Sequence, residues 1–214
     1  MSTMAGRFLT IEGIEGVGKS TQVARLSANL SERGIAHAVT REPGGTPLAE
    51  RIRDIVLNAR DEVLPPVAEL LLMFAGRAVH VTNHVEPNLR DGRWVVCDRF
   101  IDATYAYQGG GRRLSAEYIR QLEAMVLGTR SPDLTVLLDA PVEQALQRAR
   151  QRNAGAAADR FESERAEFFE RVRDVYLARA AAEPNRIVVV DATLSVDQVA
   201  SCIFKLLEAR SWIS

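Results

Sequence analysis

Glycines at 13, 16 and 18, followed directly by Lys19 and Ser20, have the spacing with which a chain can wrap a phosphate group. Glycine tolerates backbone conformations closed to other residues, so consecutive N–H groups can turn inward around an anion. A helix starting just after the loop adds the positive end of its dipole. Lys19 is then within reach of the outer phosphates of a nucleoside triphosphate, and the Ser20 hydroxyl can ligate Mg2+. The run Gly13, Ile14, Glu15, Gly16, Val17, Gly18, Lys19, Ser20 and Thr21 therefore reads as a triphosphate-binding loop. Its context agrees. The apolar stretch 8–11 precedes it and an amphipathic stretch opening at Thr21 follows, in the strand–loop–helix order that such a loop requires.

The elements that must hold this loop can be read from periodicity. Short β-branched runs at 7–11, 36–40, 94–98, 134–139 and 186–191 alternate with helical patterns at 19–33, 47–58, 66–90, 116–127, 142–152, 163–182 and 196–208. That alternation predicts an α/β fold with a parallel sheet and helices on both faces. The runs carry little polar alternation, as strands do when both faces of a sheet are covered. Gly34 stands where a glycine closes a helix. No internal repeat and no linker rich in Pro, Gly or Ser divides the chain, so 1–214 reads as one domain. The one low-complexity patch, 153–158, is flanked by Arg148, Arg150, Arg152 and Arg160 and reads as an arginine-edged flap, part of a lid segment at about 148–162.

Ligands of such sheets sit beyond the carboxyl ends of the strands. Charged residues gather there in this chain: Glu15 after the first strand, Arg41 to Thr46 after the second, Asp98 and Arg99 after the third, Asp139 after the fourth. Two arginines, Arg41 and Arg99, beside a phosphate loop imply a second anion, because a guanidinium holds phosphate through paired donors.

Composition bounds the partners. A chain of 214 residues, 47% of them hydrophobic, can bury a full core. A net charge of −1 gives no basic field for nucleic acid or membrane. Its apolar runs are too short to span a bilayer, and its first residues lack the pattern of a signal peptide. Cys97 and Cys202 are too few for a disulfide framework, and Cys97 reads as a core residue. A soluble, reduced, cytoplasmic protein is the expectation. His37, His80 and His84 sit in no motif and read as surface or helix residues.

Five ordered motifs together resemble the thymidylate kinases, which pass the γ-phosphoryl group of ATP to dTMP in dTTP biosynthesis. They are the phosphate loop from Ile11 to Thr21, the run Thr40 to Thr46, Cys97 to Phe100, Ala106 to Arg112, and Asp159 to Glu162. The loop alone fits many protein types; the five in this order are specific. The resemblance covers the chain from Phe8 to about Phe204. It implies the P-loop nucleoside monophosphate kinase fold, a five-stranded parallel core with a lid, using ATP and Mg2+, with small nucleotides as partners and a homodimer through helices flanking the sheet, for which 66–90 is the expected surface.

Family roles carry over position by position. Glu15 falls on the carboxylate that meets the acceptor's 3′-hydroxyl, Arg99 on the arginine that grips its phosphate, and Arg77 on the arginine that reads a thymine carbonyl. Thr104 and Gln108 fall on positions facing the base, and Arg53 borders that pocket. The family's stacking ring sits four residues before the thymine-reading arginine; here that place is Met73, and the ring, Phe74, is three residues before Arg77. Asp98 is expected to hold magnesium with Ser20, and Glu162 is a second candidate. One subgroup supplies a catalytic arginine from the loop, but this chain has Gly16 there, so the lid is expected to supply it: Arg152 onto the γ-phosphate, Arg148 over the adenine. No Asn-Lys-x-Asp guanine-reading motif is present, which weighs against a P-loop regulatory NTPase. Another deoxynucleotide or deoxynucleoside kinase is the closer alternative, although a nucleoside brings no phosphate for Arg41 and Arg99.

Overall fold

The computed structural model describes residues 6–58, 62–152, 160–161 and 164–213. Five parallel strands form one sheet: β1 (Phe8–Glu12), β2 (His37–Arg41), β3 (Trp94–Asp98), β4 (Leu134–Asp139) and β5 (Ile187–Asp191). Their spatial order is β2-β3-β1-β4-β5. The register levels the carboxyl ends, with Arg41 opposite Asp98, Ile11 opposite Asp98, and Asp139 opposite Asp191. Every strand thus ends at one rim, and the loop leaving β1 lies at its centre.

The two faces are written into the strands with period two. Phe8, Val95 and Cys97 point to a cluster with Leu70, Phe74, Phe100 and Ile119, while Leu9, Ile11, Val96 and Val136 point to the opposite cluster with Leu26, Leu30 and Ile203. The inner strands β1, β3 and β4 are buried almost throughout. The edge strands are not; Val39 of β2 and Val189 of β5 are nearly half exposed. Little polar alternation therefore means burial on both faces only for the three inner strands.

Around the sheet lie α1 (Lys19–Glu32), α2 (Pro47–Asn58), α3 (Pro66–His80), α4 (Glu86–Arg90), α5 (Ile101–Thr104), α6 (Ala116–Leu127), α7 (Val142–Arg152), α8 (Ala166–Ala182) and α9 (Val196–Ala209). Ser115 caps α6, and Ser195 with Gln198 forms a capping box on α9. Two differences from the sequence reading stand out. The expected helix 66–90 is helical throughout but widens to a π-turn at Val81–Val85. A further helical stretch, α5 continued by a π-turn at Tyr105–Gly111, stands where the sequence shows a glycine-rich run. Packing explains it. A side chain at Gly110 would press on the Arg171 carbonyl, and one at Gly111 on the Phe168 ring, so these glycines let the turn lie directly on α8. Buried Asp102 fastens the same stretch through ion pairs of 2.7 Å to both Arg179 and Arg186.

The apolar C-terminus packs back on the sheet. Trp212 and Trp94 pack at nearly right angles with ring centres 6.0 Å apart, the Arg7 guanidinium lies 4.7 Å over the Trp212 ring, and Ile213 is buried. No helix among the described residues is long and apolar enough to cross a membrane.

Candidate active site

The loop after β1 takes the shape its glycines permit: Gly13, Gly16 and Gly18 have φ of 134°, 80° and 92°. No side chain caps α1 at Gly18, so the first N–H groups of that helix remain open to an anion. Ile14 and Val17 are buried in the core cluster. Ser20 and Thr21 are exposed. Lys19 folds under the loop, is 8% exposed, and donates to the Ile14 carbonyl at 2.8 Å. Burial, with Arg99 nearby, pulls its pKa down to about 8 against the opposing pull of Asp98, Glu15 and Glu12.

Arg99 follows β3 with φ 71°, a left-handed backbone that aims its side chain back across the β1 loop. Its guanidinium donates to Glu15 at 2.6 Å, to the Gly13 carbonyl at 2.9 Å and to the Tyr176 hydroxyl at 3.3 Å. Its ion-pair partner is Glu15; Asp98 instead accepts from the Ser20 hydroxyl at 3.1 Å. Burial opposes ionisation of Glu15, but Arg99, Lys19 and a 2.5 Å bond from Tyr107 outweigh it and hold the carboxyl below its usual range. Beneath them Glu12 accepts from the Phe100 N–H and the Tyr176 hydroxyl, each at 2.7 Å. Burial, then the nearby Asp102, pushes its pKa up to about 7. Cys97 is wholly buried and its thiol donates to the Arg99 carbonyl at 2.9 Å; burial and then Glu42 raise its pKa well above the ordinary thiol value.

One cavity runs from these groups toward α3. Glu15, Arg53, Met73, Arg77, Arg99, Tyr107 and Gln108 are among its walls. Arg77 is fully buried, not an exposed helix charge. Its Nε donates to Glu42 at 2.7 Å and one Nη to the Phe100 carbonyl at 3.1 Å. Glu42 is held in turn by His80 at 2.9 Å, and His80 by Thr40 at 2.7 Å, so His80 is a buried positioning group and not a surface residue. The other Nη of Arg77 makes no hydrogen bond among the described residues. Gln108 donates its Nε2 to Glu69 at 2.8 Å, while its Oε1 has no partner among the described residues. Arg53 borders the cavity and donates to the Pro43 carbonyl at 2.9 Å.

Two expected base contacts, Phe74 and Thr104, and the expected anion contact Arg41 sit elsewhere. Phe74 points into the core beside Phe100 and Leu70, because its place on α3 faces the sheet; Met73 takes its position in the cavity wall. Thr104 is buried but is not among the residues lining the cavity. Arg41, ion-paired to Glu50 at 2.9 Å, opens on a separate groove with Ser20 and Asp98. Of the lid, Arg148 donates to the Ala192 carbonyl at 2.8 Å and Arg152 ends α7 exposed. Glu162 and 153–159 lie outside the described residues. Glu12, Glu42, Glu69, Tyr107 and Tyr176 were missed by the sequence reading: Glu12, Glu42 and Tyr107 lie inside motifs whose other residues drew the roles, and Glu69 and Tyr176 lie in no motif.

Residues 11–203 match the family model described as Thymidylate kinase. The chain is 55% identical over 210 residues to the thymidylate kinase of Chromohalobacter salexigens, covering 97% of this chain and 98% of that one. It is 52% identical over 206 residues to that of Teredinibacter turnerae, covering 96% and 99%. The crystal structure of thymidylate kinase from Ehrlichia chaffeensis superposes with a TM-score of 0.75 at 32% identity, covering 95% of this chain and 99% of that one.

Proposed function

The chain belongs to the thymidylate kinase family, and on that premise we propose that it transfers the γ-phosphoryl group of ATP to dTMP, giving dTDP and ADP. The observation that carries this reading is one cavity lined both by Arg99, beside the phosphate loop, and by Arg77 and Gln108, which have an N–H and an oxygen without partners among the described residues. Arg99 suits the acceptor phosphate. Arg77 suits the base O4, Gln108 the base N3–H, and Met73 supplies an apolar platform under the ring. Glu15, ionised and fixed by Arg99 and Tyr107, accepts from the sugar 3′-hydroxyl.

An acceptor phosphate oxygen attacks the γ-phosphorus while the bond to the β–γ bridging oxygen breaks. The acceptor is already anionic, so the protein's work is positioning and charge. Lys19 and the α1 N-terminus face the phosphates. Ser20 and Asp98, two oxygen donors 3.1 Å apart at an exposed edge, fit Mg2+, which takes few protein ligands and keeps water and phosphate oxygens for the rest. Arg152 brings charge onto the γ-phosphate and Arg148 covers the adenine. Gly16 cannot supply that charge, because a Cβ there would overlap the Ala145 carbonyl of α7. Unpaired Cys97 and Cys202 fit the reducing cytoplasm. Leu48 and Ile55 on α2, Val67 and Leu71 on α3, and Tyr118 and Met125 on α6 are exposed apolar residues on helices that pack side by side, and we assign them to a homodimer interface.

A coupled assay of ATP with dTMP, dUMP, dCMP, dGMP and thymidine tests the reading. Preferred turnover of dTMP is expected; preference for thymidine would make the chain a nucleoside kinase.

A further inference from the structure

Glu69 lies on α3 with its carboxylate wholly buried. It accepts from Gln108 Nε2 at 2.8 Å, from Arg112 Nε at 3.3 Å and from Arg160 at 3.2 Å. The two guanidiniums compensate a buried negative charge. Gln108 does something different there, because a primary amide can present either its NH2 or its oxygen, and half a turn about one bond exchanges them. A carboxylate only accepts. With Glu69 on one side, the amide must turn its nitrogen to Glu69; the reversed amide would set oxygen against oxygen and lose a bond. Gln108 Oε1 is therefore left on the side away from Glu69, buried and without a hydrogen-bond partner among the described residues, as is one Nη of Arg77, and both residues line the cavity.

We propose that Glu69 is a specificity-determining positioning residue: it fixes the Gln108 amide so that the cavity offers one acceptor and one donor in a set order. That order complements a thymine or uracil edge, N3–H beside O4. It opposes a cytosine edge, where N3 accepts and the N4 amino group donates. The proposal rests on the reading of this cavity as the dTMP site. Without the clamp, the amide is free to take either orientation, and a cytosine ring finds a donor at N3.

The test is steady-state kinetics of the whole enzyme with dTMP and dCMP as acceptors. Glu69→Gln puts an amide opposite an amide, which can pair in both senses. The ratio of kcat/KM for dTMP over dCMP is expected to fall about tenfold, the worth of one hydrogen bond. The change should sit in KM for dTMP, with kcat and KM for ATP holding. Gln108→Met, which removes the acceptor, is expected to lower the ratio similarly, and Glu69→Gln added to it should lower it no further. A ratio unchanged by Glu69→Gln but lowered by Gln108→Met overturns the clamp and leaves the base site standing. A ratio unchanged by Gln108→Met overturns the base reading itself. Should Glu69→Gln fail to fold, Glu69→Asp keeps the charge for Arg112 and Arg160 but withdraws the carboxylate from the amide by one methylene. A lowered ratio then supports the clamp and an unchanged one overturns it.

Discussion

The lysine proposed to bring positive charge to phosphate is held where burial works against that charge. Lys19, under the loop with its pKa near 8, binds fewer protons in the folded than in the unfolded chain between about 8 and its ordinary value. Its ammonium therefore costs stability at neutral pH. Lys19→Ala is expected to abolish turnover while the unliganded thermal midpoint holds or rises, which activity assays and calorimetry would read together. In the parent, kcat/KM for ATP should fall as pH rises through about 8. Glu12 has the opposite sense of proton linkage. Its pKa of about 7 lies above the ordinary carboxylate value, so the folded chain binds the extra proton between about 4.5 and 7. Relative to Glu12→Gln, the parent should lose stability as pH rises across that window, by up to about 3 kcal/mol in denaturant titrations. Arg99→Ala should weaken dTMP binding roughly 10- to 150-fold through loss of a charge-assisted contact, with ATP binding little changed. Equal losses for both nucleotides would mean that Arg99 serves chiefly to hold the loop through the Gly13 carbonyl.

At the level of elements, α7 and the phosphate loop are one mechanical unit. Gly16 touches the backbone of α7, and α7 ends at Arg152, so the loop seats the helix that carries the proposed lid arginine. Arg152→Ala is expected to lower kcat toward 10³-fold with KM for dTMP nearly unchanged, while Arg150→Ala stays close to silent. The strands and the main helices were legible because periodicity and glycine or serine caps are local signals; strand ends agree with the reading within a residue. The stretch from Ile101 to Gly111 was not, because Tyr-Ala-Tyr followed by Gln and three glycines has poor helix propensity and is held helical by α8. The site divides along the same line. Lys19, Ser20, Asp98 and Arg99 were visible as motif residues at strand ends. Glu12, Glu42, Glu69 and His80 act on partners 35 to 164 residues away, a pairing that no window of sequence displays. Phe74 was assigned by the ring's chemistry, whereas position on α3 decides, and one residue of helix turn sends Met73 to the cavity and Phe74 to the core.

At the scale of the molecule, α2, α3 and α6 leave an apolar surface on the chain's outside. Leu71→Asp is expected to shift sedimentation from dimer toward monomer without unfolding the subunit, since Leu71 is about half exposed in the single chain. A parent that sediments as a monomer at micromolar concentration would remove that interface. The sheet also holds a chemical clock. Cys202 on α9 is half-buried, whereas Cys97 is sealed in β3 against the Arg99 carbonyl. A thiol-specific dye should accordingly label one sulfur quickly and the other only when β3 parts from its neighbours. Because Asp98 and Arg99 directly follow that sulfur, the slow labelling rate measures how often the strand end that carries them comes apart, and nucleotides bound at the proposed site should lower it.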